Sequence, residues 1–258
     1  MLKDWLIEVK VELYNDNFQN FKSYQLPRAQ LLIADIPYNL GNNAYASSNQ
    51  WYVDGDNTKG ESDKANKQFF DTDKNFNIVE FMHFANRMLI KEPKETGKAP
   101  AMIVFSSFQQ MPMVAAYGEK YGFKHSFPMV FVKDTSPQVL KANMKVVGAT
   151  EYATVLYRDK LPKFNNNGEM IFNWMRWGRD GKEIPKVHPT QKPQGVLERL
   201  IEIFTDRGDV VIDPVAGSGS TLRAAASLGR EAYGFEIKKD FYKAAKEKML
   251  LDIQPSLF

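Results

Sequence analysis

The 258-residue sequence contains no cysteine. Disulfides, cysteine nucleophiles and thiolate metal sites are therefore excluded. Histidine is almost as scarce, with only His83, His125 and His188 scattered along the chain, so no histidine metal cluster is expected. No stretch approaches the roughly 18 consecutive apolar residues that a membrane span needs. The opening MLKDWLIEVKVELY lacks the architecture of a secretory leader, and a cytoplasmic location is the expectation. The net charge of +3 is too small to announce a partner. What the chain does have is a 43% apolar and 13% aromatic composition, enough for a real core and too much for global disorder. This length suits one sizeable α/β domain with insertions, or two small domains, and the expectation is a single domain spanning residues 1–258.

Short apolar runs bounded by turn residues mark seven strands: VKVELY from Val9, QLLIAD from Gln30, AMIVFS from Ala101, PMVFVK from Pro128, YATVLY from Tyr152, DVVIDP from Asp209 and EAYGFE from Glu231. Helical periodicity fills the gaps after Phe76, Gln110, Pro193, Ser220 and Asp240. Strand alternating with helix predicts an α/β fold with a mostly parallel sheet covered on both faces. The VFVK and YATVLY strands lack a helix between them and suggest an antiparallel edge hairpin. Two segments interrupt the alternation. Residues 41–75 are rich in Asn, Ser, Asp, Lys and Gly, while 134–187 is longer and basic; loops of such length are usually functional or disordered. Residues 133–192 carry 11 Lys/Arg against 6 Asp/Glu, with aromatic and amide side chains interleaved in FNNNGEMIFNWMRWGRDGK. A solvated surface is the ordinary explanation of such an excess; cations with amides and planar groups also suit nucleic acid.

Two stretches carry chemistry. In LLIADIPYNLGNN from Leu31, a strand reading as buried on both faces ends in an acid, a proline and an aromatic ring. Asp35, Pro37 and Tyr38 then fall at the carboxyl edge of the sheet, where open α/β folds place ligands. In VVIDPVAGSGSTLRAAASLG from Val210, a strand ends at Asp213, a glycine turn follows and a helix begins near Ser220. Gly217 and Gly219 permit positive φ and close approach of a ligand. The turn is neither a Walker loop nor a full dinucleotide fingerprint. Glu236, ending the next strand, sits at about the spacing at which nucleotide-binding folds place a ribose-binding acid. Together these favour a nucleoside-containing cofactor.

These residues carry a family resemblance. DIPY at 35–38 resembles the DPPY motif of amino-methyltransferases, and DPVAGSGST from Asp213 resembles their S-adenosylmethionine (AdoMet) loop. HPTQKP at 188–193 is similar to the segment preceding that loop in β-group DNA adenine N6-methyltransferases, whose permuted order places the catalytic motif first. The resemblance implies a Rossmann-like class I methyltransferase fold, seven-stranded with the edge hairpin. It implies AdoMet as cofactor and DNA as partner, a homodimer as the candidate assembly, a place in restriction-modification, and neither membrane nor metal. It assigns catalysis to Asp35, the Ile36 carbonyl, Pro37 and Tyr38, the last stacking on a flipped-out base. His188, Thr190 and Lys192 would surround the methionine part of AdoMet. Asp213, Gly217, Ser218 and Gly219 would line its centre, Glu236 its ribose, and Asp16 its adenine. The segment 134–187, with 41–75 near the active site, would supply target recognition. Ile36 departs from the motif, replacing its first proline, with an expected loss of rigidity. A cytosine N4-methyltransferase is the neighbouring alternative, although those enzymes usually carry Ser in place of Asp35. A dinucleotide oxidoreductase would leave DIPY and HPTQKP unexplained, and a catalytically weak AdoMet-dependent DNA-binding protein would explain Ile36 alone.

Overall fold

The computed structural model describes residues 9–37, 76–134, 138–141, 144–188, 190–251 and 253. All seven expected strands form, as β1 (Val11–Tyr14), β2 (Leu31–Asp35), β3 (Ala101–Ser106), β4 (His125–Lys133), β7 (Thr150–Tyr157), β9 (Val210–Asp213) and β10 (Glu231–Phe235). Three short strands were not expected: β5 (Gln138–Lys141), β6 (Val146–Gly148) and β8 (Trp174–Trp177). The helices are α1 (Ile78–Met88), α2 (Met111–Lys120), α3 (Gln194–Phe204), α4 (Ser220–Ser227) and α5 (Lys239–Ala244), the last running into a π-helical turn over Ala245–Met249.

The main sheet has eight strands in the order β1-β10-β9-β2-β3-β7-β4-β8, and β5 pairs with β6 in a separate ribbon. Strands β1, β10, β9, β2 and β3 run parallel to one another. Strand β7 runs antiparallel to both β3 and β4, so the antiparallel pair lies inside the sheet and not at its edge. The edge belongs to β8, which runs parallel to β4. Its sequence, WMRW, alternates half-buried and exposed positions over only four residues, too short for a periodicity signal to register. Because β8 shares the direction of β3, their carboxyl ends share one edge of the sheet.

Strand β2 shows why these residues form a central strand. Leu31 and Ile33 point into the cluster built with α3 and α4, while Leu32 and Ala34 point into the one built with α1 and α2. A strand with apolar side chains on both faces is stable only between two helical layers. Helix α1 begins at Asn77, whose side chain accepts hydrogen bonds from the Val79 and Glu80 amides, and it buries Phe81, Met82, Phe84, Ala85 and Met88. Burial of Phe81 and Phe84 stabilises the fold by about 1.5–3 kcal/mol each. Helix α3 presents Val196, Leu197, Leu200, Ile201 and Phe204 to the opposite face. The basic segment 134–187 contributes β7 and β8 to the sheet itself, which leaves the ribbon and the stretches around β8 as its excursions.

Candidate active site

Two strand ends form the site. The first is the end of β2. Asp35 lies opposite Phe105 of β3, and the Ile36 amide donates to the Phe105 carbonyl at 3.1 Å. That bond continues the ladder one residue past Asp35, and a proline at position 36 could not donate it. The Ile36 side chain is 1% exposed, packed in the α1–α2 cluster. The rigidity expected to be lost with proline is therefore offset by one hydrogen bond and a buried side chain. Pro37 comes next, and its carbonyl accepts from Gln110 Nε2 at 2.9 Å. Tyr38 and residues 41–75 lie outside the described residues, as does Pro189 in the HPTQKP segment.

Lys192 reaches the same turn from 157 residues away: its Nζ is 2.6 Å from Asp35 Oδ2. The ammonium also lies 5.1 Å from the Phe105 ring centre and 5.6 Å from that of Trp177, within cation–π range. Lys192, expected at the methionine end of AdoMet, thus meets Asp35 directly. Asp180 ties the start of α3, directly after the HPTQKP segment, to the post-β8 chain by accepting from the Gln194 amide at 2.7 Å. His188 is partly buried, edge-on to Phe241 at 4.3 Å between ring centres. Burial pulls its pKa down to about 4, helped by the charges of Lys192 and Lys238. A neutral ring with the Thr190 amide donating to Nδ1 at 3.3 Å carries its proton on Nε2.

The second strand end is the β9–α4 turn. Gly217 and Gly219 adopt φ of +51° and +77°, in the left-handed region that glycine tolerates. The turn closes on itself: the Gly219 amide donates to the Ala216 carbonyl at 2.8 Å, and the Ser220 amide to Ser218 Oγ at 3.3 Å. Asp213 is 4% exposed and accepts from the Val215 amide at 3.0 Å. Burial pushes its carboxyl up to about 7; hydrogen bonds from Thr221 and Val215 oppose the rise, and the charges of Asp35 and Glu236 add to it. Glu236 bridges the turn and the loop after β10, accepting from the Gly217 amide at 2.9 Å and the Lys238 amide at 2.7 Å. Burial raises its pKa as well. Asn15 fastens β1 to this corner by donating to the Glu236 carbonyl at 2.8 Å. Next to it, Asp16 accepts from Tyr24 at 2.7 Å and from Asn20 at 2.8 Å, and these bonds hold its carboxyl below the usual range.

The structure thus brings Asp35, Ile36, Pro37, Lys192, Asp213, the glycine turn and Glu236 to one sheet edge, with His188 and Thr190 beside it and Asp16 at the end of β1. Sequence reasoning missed Gln110, Asp180 and Phe108. Phe108 is 63% exposed just past β3, with its ring 5.5 Å from that of Tyr152. It offered no signal in the sequence, because the exposure of its ring is a property of the fold. Gln110 offered none, because a glutamine at the start of a helical pattern is ordinary. A cavity of about 340 Å³ opens between the post-β8 chain and α3, lined in part by Arg176, Arg179, Arg199 and Asp180. Among the described residues, no group of three or more His, Asp or Glu is placed to hold a metal ion, and no helix is long and apolar enough to cross a membrane.

Comparison with known proteins supplies the family and the fold. Residues 29–247 match the N6/N4 family described as DNA methylase. The chain is similar to the type II methyltransferase M2.DpnII of Streptococcus pneumoniae, with 28% identity over 255 residues, covering 92% of this chain and 88% of that protein. It is also similar to the DNA adenine methyltransferase YhdJ of Escherichia coli K12, at 25% identity over 272 residues, covering 94% and 83% respectively. The crystal structure of the M1.HpyAVI-SAM complex has the same fold, with a TM-score of 0.66 at 23% identity, covering 93% of this chain and all of that one.

Proposed function

Because the chain belongs to the N6/N4 DNA methylase family, we propose that it transfers a methyl group from AdoMet to N6 of adenine in DNA. The observation that carries the choice of base is Asp35 at the end of β2, the position at which cytosine N4 enzymes usually have serine. The similarity to a relative named as a DNA adenine methyltransferase supports the same reading.

The residues of the second strand end suit AdoMet. Asp213, buried and facing the charges of Asp35 and Glu236, is costly to ionise alone; a sulfonium or ammonium nearby relieves that cost. A side chain at Gly217 would meet nothing closer than the Val215 carbonyl at 4.0 Å, so the turn leaves open space above its backbone. Glu236 would hold the ribose, Asp213 and the 217–219 turn the centre, Asp16 the adenine, and His188 and Thr190 the methionine end. When bound, AdoMet supplies the electrophilic methyl group.

The rest is done by this chain. The N6 amine of adenine is a poor nucleophile because its lone pair is delocalised into the ring. Asp35 and the Ile36 carbonyl accept hydrogen bonds from its two N–H groups, which favours a pyramidal nitrogen with its lone pair aimed at the donor and stabilises the positive charge that develops before one of those protons is lost. Lys192 fixes the Asp35 carboxylate by holding Oδ2. Tyr38 would stack on the flipped base in place of its lost neighbours. The arginine-lined cavity lies beside the carboxyl end of β8 and suits backbone phosphates. We assign target recognition to 134–187 on that ground and on its basic excess. The same reading keeps the enzyme in the cytoplasm, with a homodimer as its assembly; sedimentation at the mass of one chain would overturn the latter.

Expression in a methylation-deficient host, with modified bases mapped by long-read sequencing, tests the proposal. N6-methyladenine at one short sequence is expected. N4-methylcytosine in its place would move the chain to the other branch of the family, and DNA left unmodified, with no label transferred from AdoMet in vitro, would overturn the enzymatic reading.

A further inference from the structure

The catalytic turn leaves the sheet after Ile36, and one side chain holds the residue beyond it. Gln110 Nε2 donates to the Pro37 carbonyl at 2.9 Å, while its Oε1 accepts from both the amide and the hydroxyl of Ser107 at 3.0 Å. Both ends of the carboxamide are committed. The two Ser107 donors leave only one orientation of the group, with its nitrogen on the Pro37 side. Ser107 itself directly succeeds β3, the strand whose Phe105 carbonyl receives the Ile36 amide. The turn is thus gripped twice from the same neighbouring strand end, once through its backbone ladder and once through Gln110.

We propose that Gln110 is a positioning residue of the methyl-transfer site. It fixes the Pro37 peptide and hence the direction in which the Asp35 side chain and the Ile36 carbonyl face the target amine. It touches neither. The proposal rests on the function assigned to Asp35 above. Its physical ground is that a proline in place of Ile36 would stiffen this turn internally, whereas here part of the stiffness comes from outside the motif, 73 residues away. Misplacement of reacting groups by about 1 Å can cost about a hundredfold in rate, so a clamp on the turn has kinetic consequences without any contact to the substrate.

Two substitutions separate the clamp from the local structure it also caps. Gln110→Glu keeps an acceptor for Ser107 and loses the donor to Pro37; Gln110→Met loses both. Hydrogen exchange at the Ile36 amide, read in the ligand-free full chain, is expected to accelerate in both variants. The single-turnover methylation rate should fall about ten- to a hundredfold in both, with the Kd for AdoMet and the KM for DNA close to wild type. The melting temperature of Gln110→Glu should stay near wild type. Unchanged exchange and an unchanged rate in Gln110→Glu would overturn the proposal. So would a parallel fall of rate, AdoMet affinity and melting temperature, which marks a folding defect. If the wild type transfers no methyl group, the functional reading fails; accelerated exchange in both variants would still support the clamp, and unchanged exchange would overturn it.

Discussion

The two strand ends that meet at the site are built in opposite ways. The turn after β9 is local: its glycines adopt positive φ, the Gly219 amide closes on the Ala216 carbonyl and the Ser220 amide on Ser218 Oγ, and the nearby end of β10 supplies further acceptors at the Phe235 carbonyl and at Glu236, only 19 residues from Gly217. The turn after β2 is assembled from distant chain, with Lys192 on Asp35, Gln110 on Pro37 and Phe105 on Ile36. A local turn can hold a ligand with the backbone the motif itself encodes. A turn assembled from distant segments depends on the whole fold, which suits a group that must be aimed to within a fraction of an ångström during reaction. Substitutions at the two ends should therefore separate binding from turnover.

The largest effect is expected at Asp35. Asp35→Ala removes an acceptor needed as charge develops on N6, and single-turnover methyl transfer should fall by about a thousandfold while AdoMet binding survives. The change also takes the Asp35 carboxylate away from the buried Lys192, which lowers stability. Adding Lys192→Met should restore the melting temperature without restoring the rate. Recovery of both together would mean that Asp35 matters only for folding, and the contrast between the two ends would collapse.

Glu236→Ala is the counterpart at the cofactor end. Loss of hydrogen bonds to a charged acceptor should weaken AdoMet by about 1.5–3 kcal/mol, roughly ten- to a hundredfold in Kd, with the rate at saturating AdoMet little changed. Calorimetry and single-turnover assays read the two quantities separately. A collapse in saturated rate with an unchanged Kd would reverse the assignment of the two ends.

A third test uses acid titration. Asp213 titrates near 7 in the folded chain against an ordinary 3.8. Between those values the folded state holds a proton that the unfolded state has lost, so this group's contribution to stability declines as pH rises from about 4 to 7. His188 titrates near 4 against 6.5, so the folded state holds fewer protons and its contribution declines as pH falls through the same window. The two oppose each other in the wild type. Thermal melts of the ligand-free protein should show Asp213→Asn losing stability toward acid, and His188→Gln losing it toward neutral pH. Each slope should amount to a change on the order of 3–4 kcal/mol across the window. Both variants retaining the wild-type slope would show that neither group is buried as described.

The smallest expected effect lies outside both ends. Lys182 and Lys186 are exposed in the post-β8 segment. Replacing both with Gln should weaken DNA binding modestly and reduce its salt dependence by up to about two phosphate contacts, without touching AdoMet affinity. An unchanged salt slope would move DNA recognition elsewhere.

Much of this molecule was legible in its sequence. The alternation of apolar strands and amphipathic helices determined the doubly covered sheet, because an apolar run such as LLIA has no stable place except between two layers. The order of DIPY, HPTQKP and DPVAGSGST identified the family, and the glycine turn could be read locally because positive φ is a property of single residues. The edge strand WMRW was not readable, since four residues carry too little periodicity. Nor was the internal position of the β4–β7 pair, which depends on β8 covering the edge. The partners of the turn after β2 were equally hidden: nothing in the chemistry of Lys192 or Gln110 tells a reader that one meets Asp35 and the other Pro37. Those contacts exist because strands distant in sequence end at one edge of the sheet, and long-range proximity is what tertiary packing alone decides.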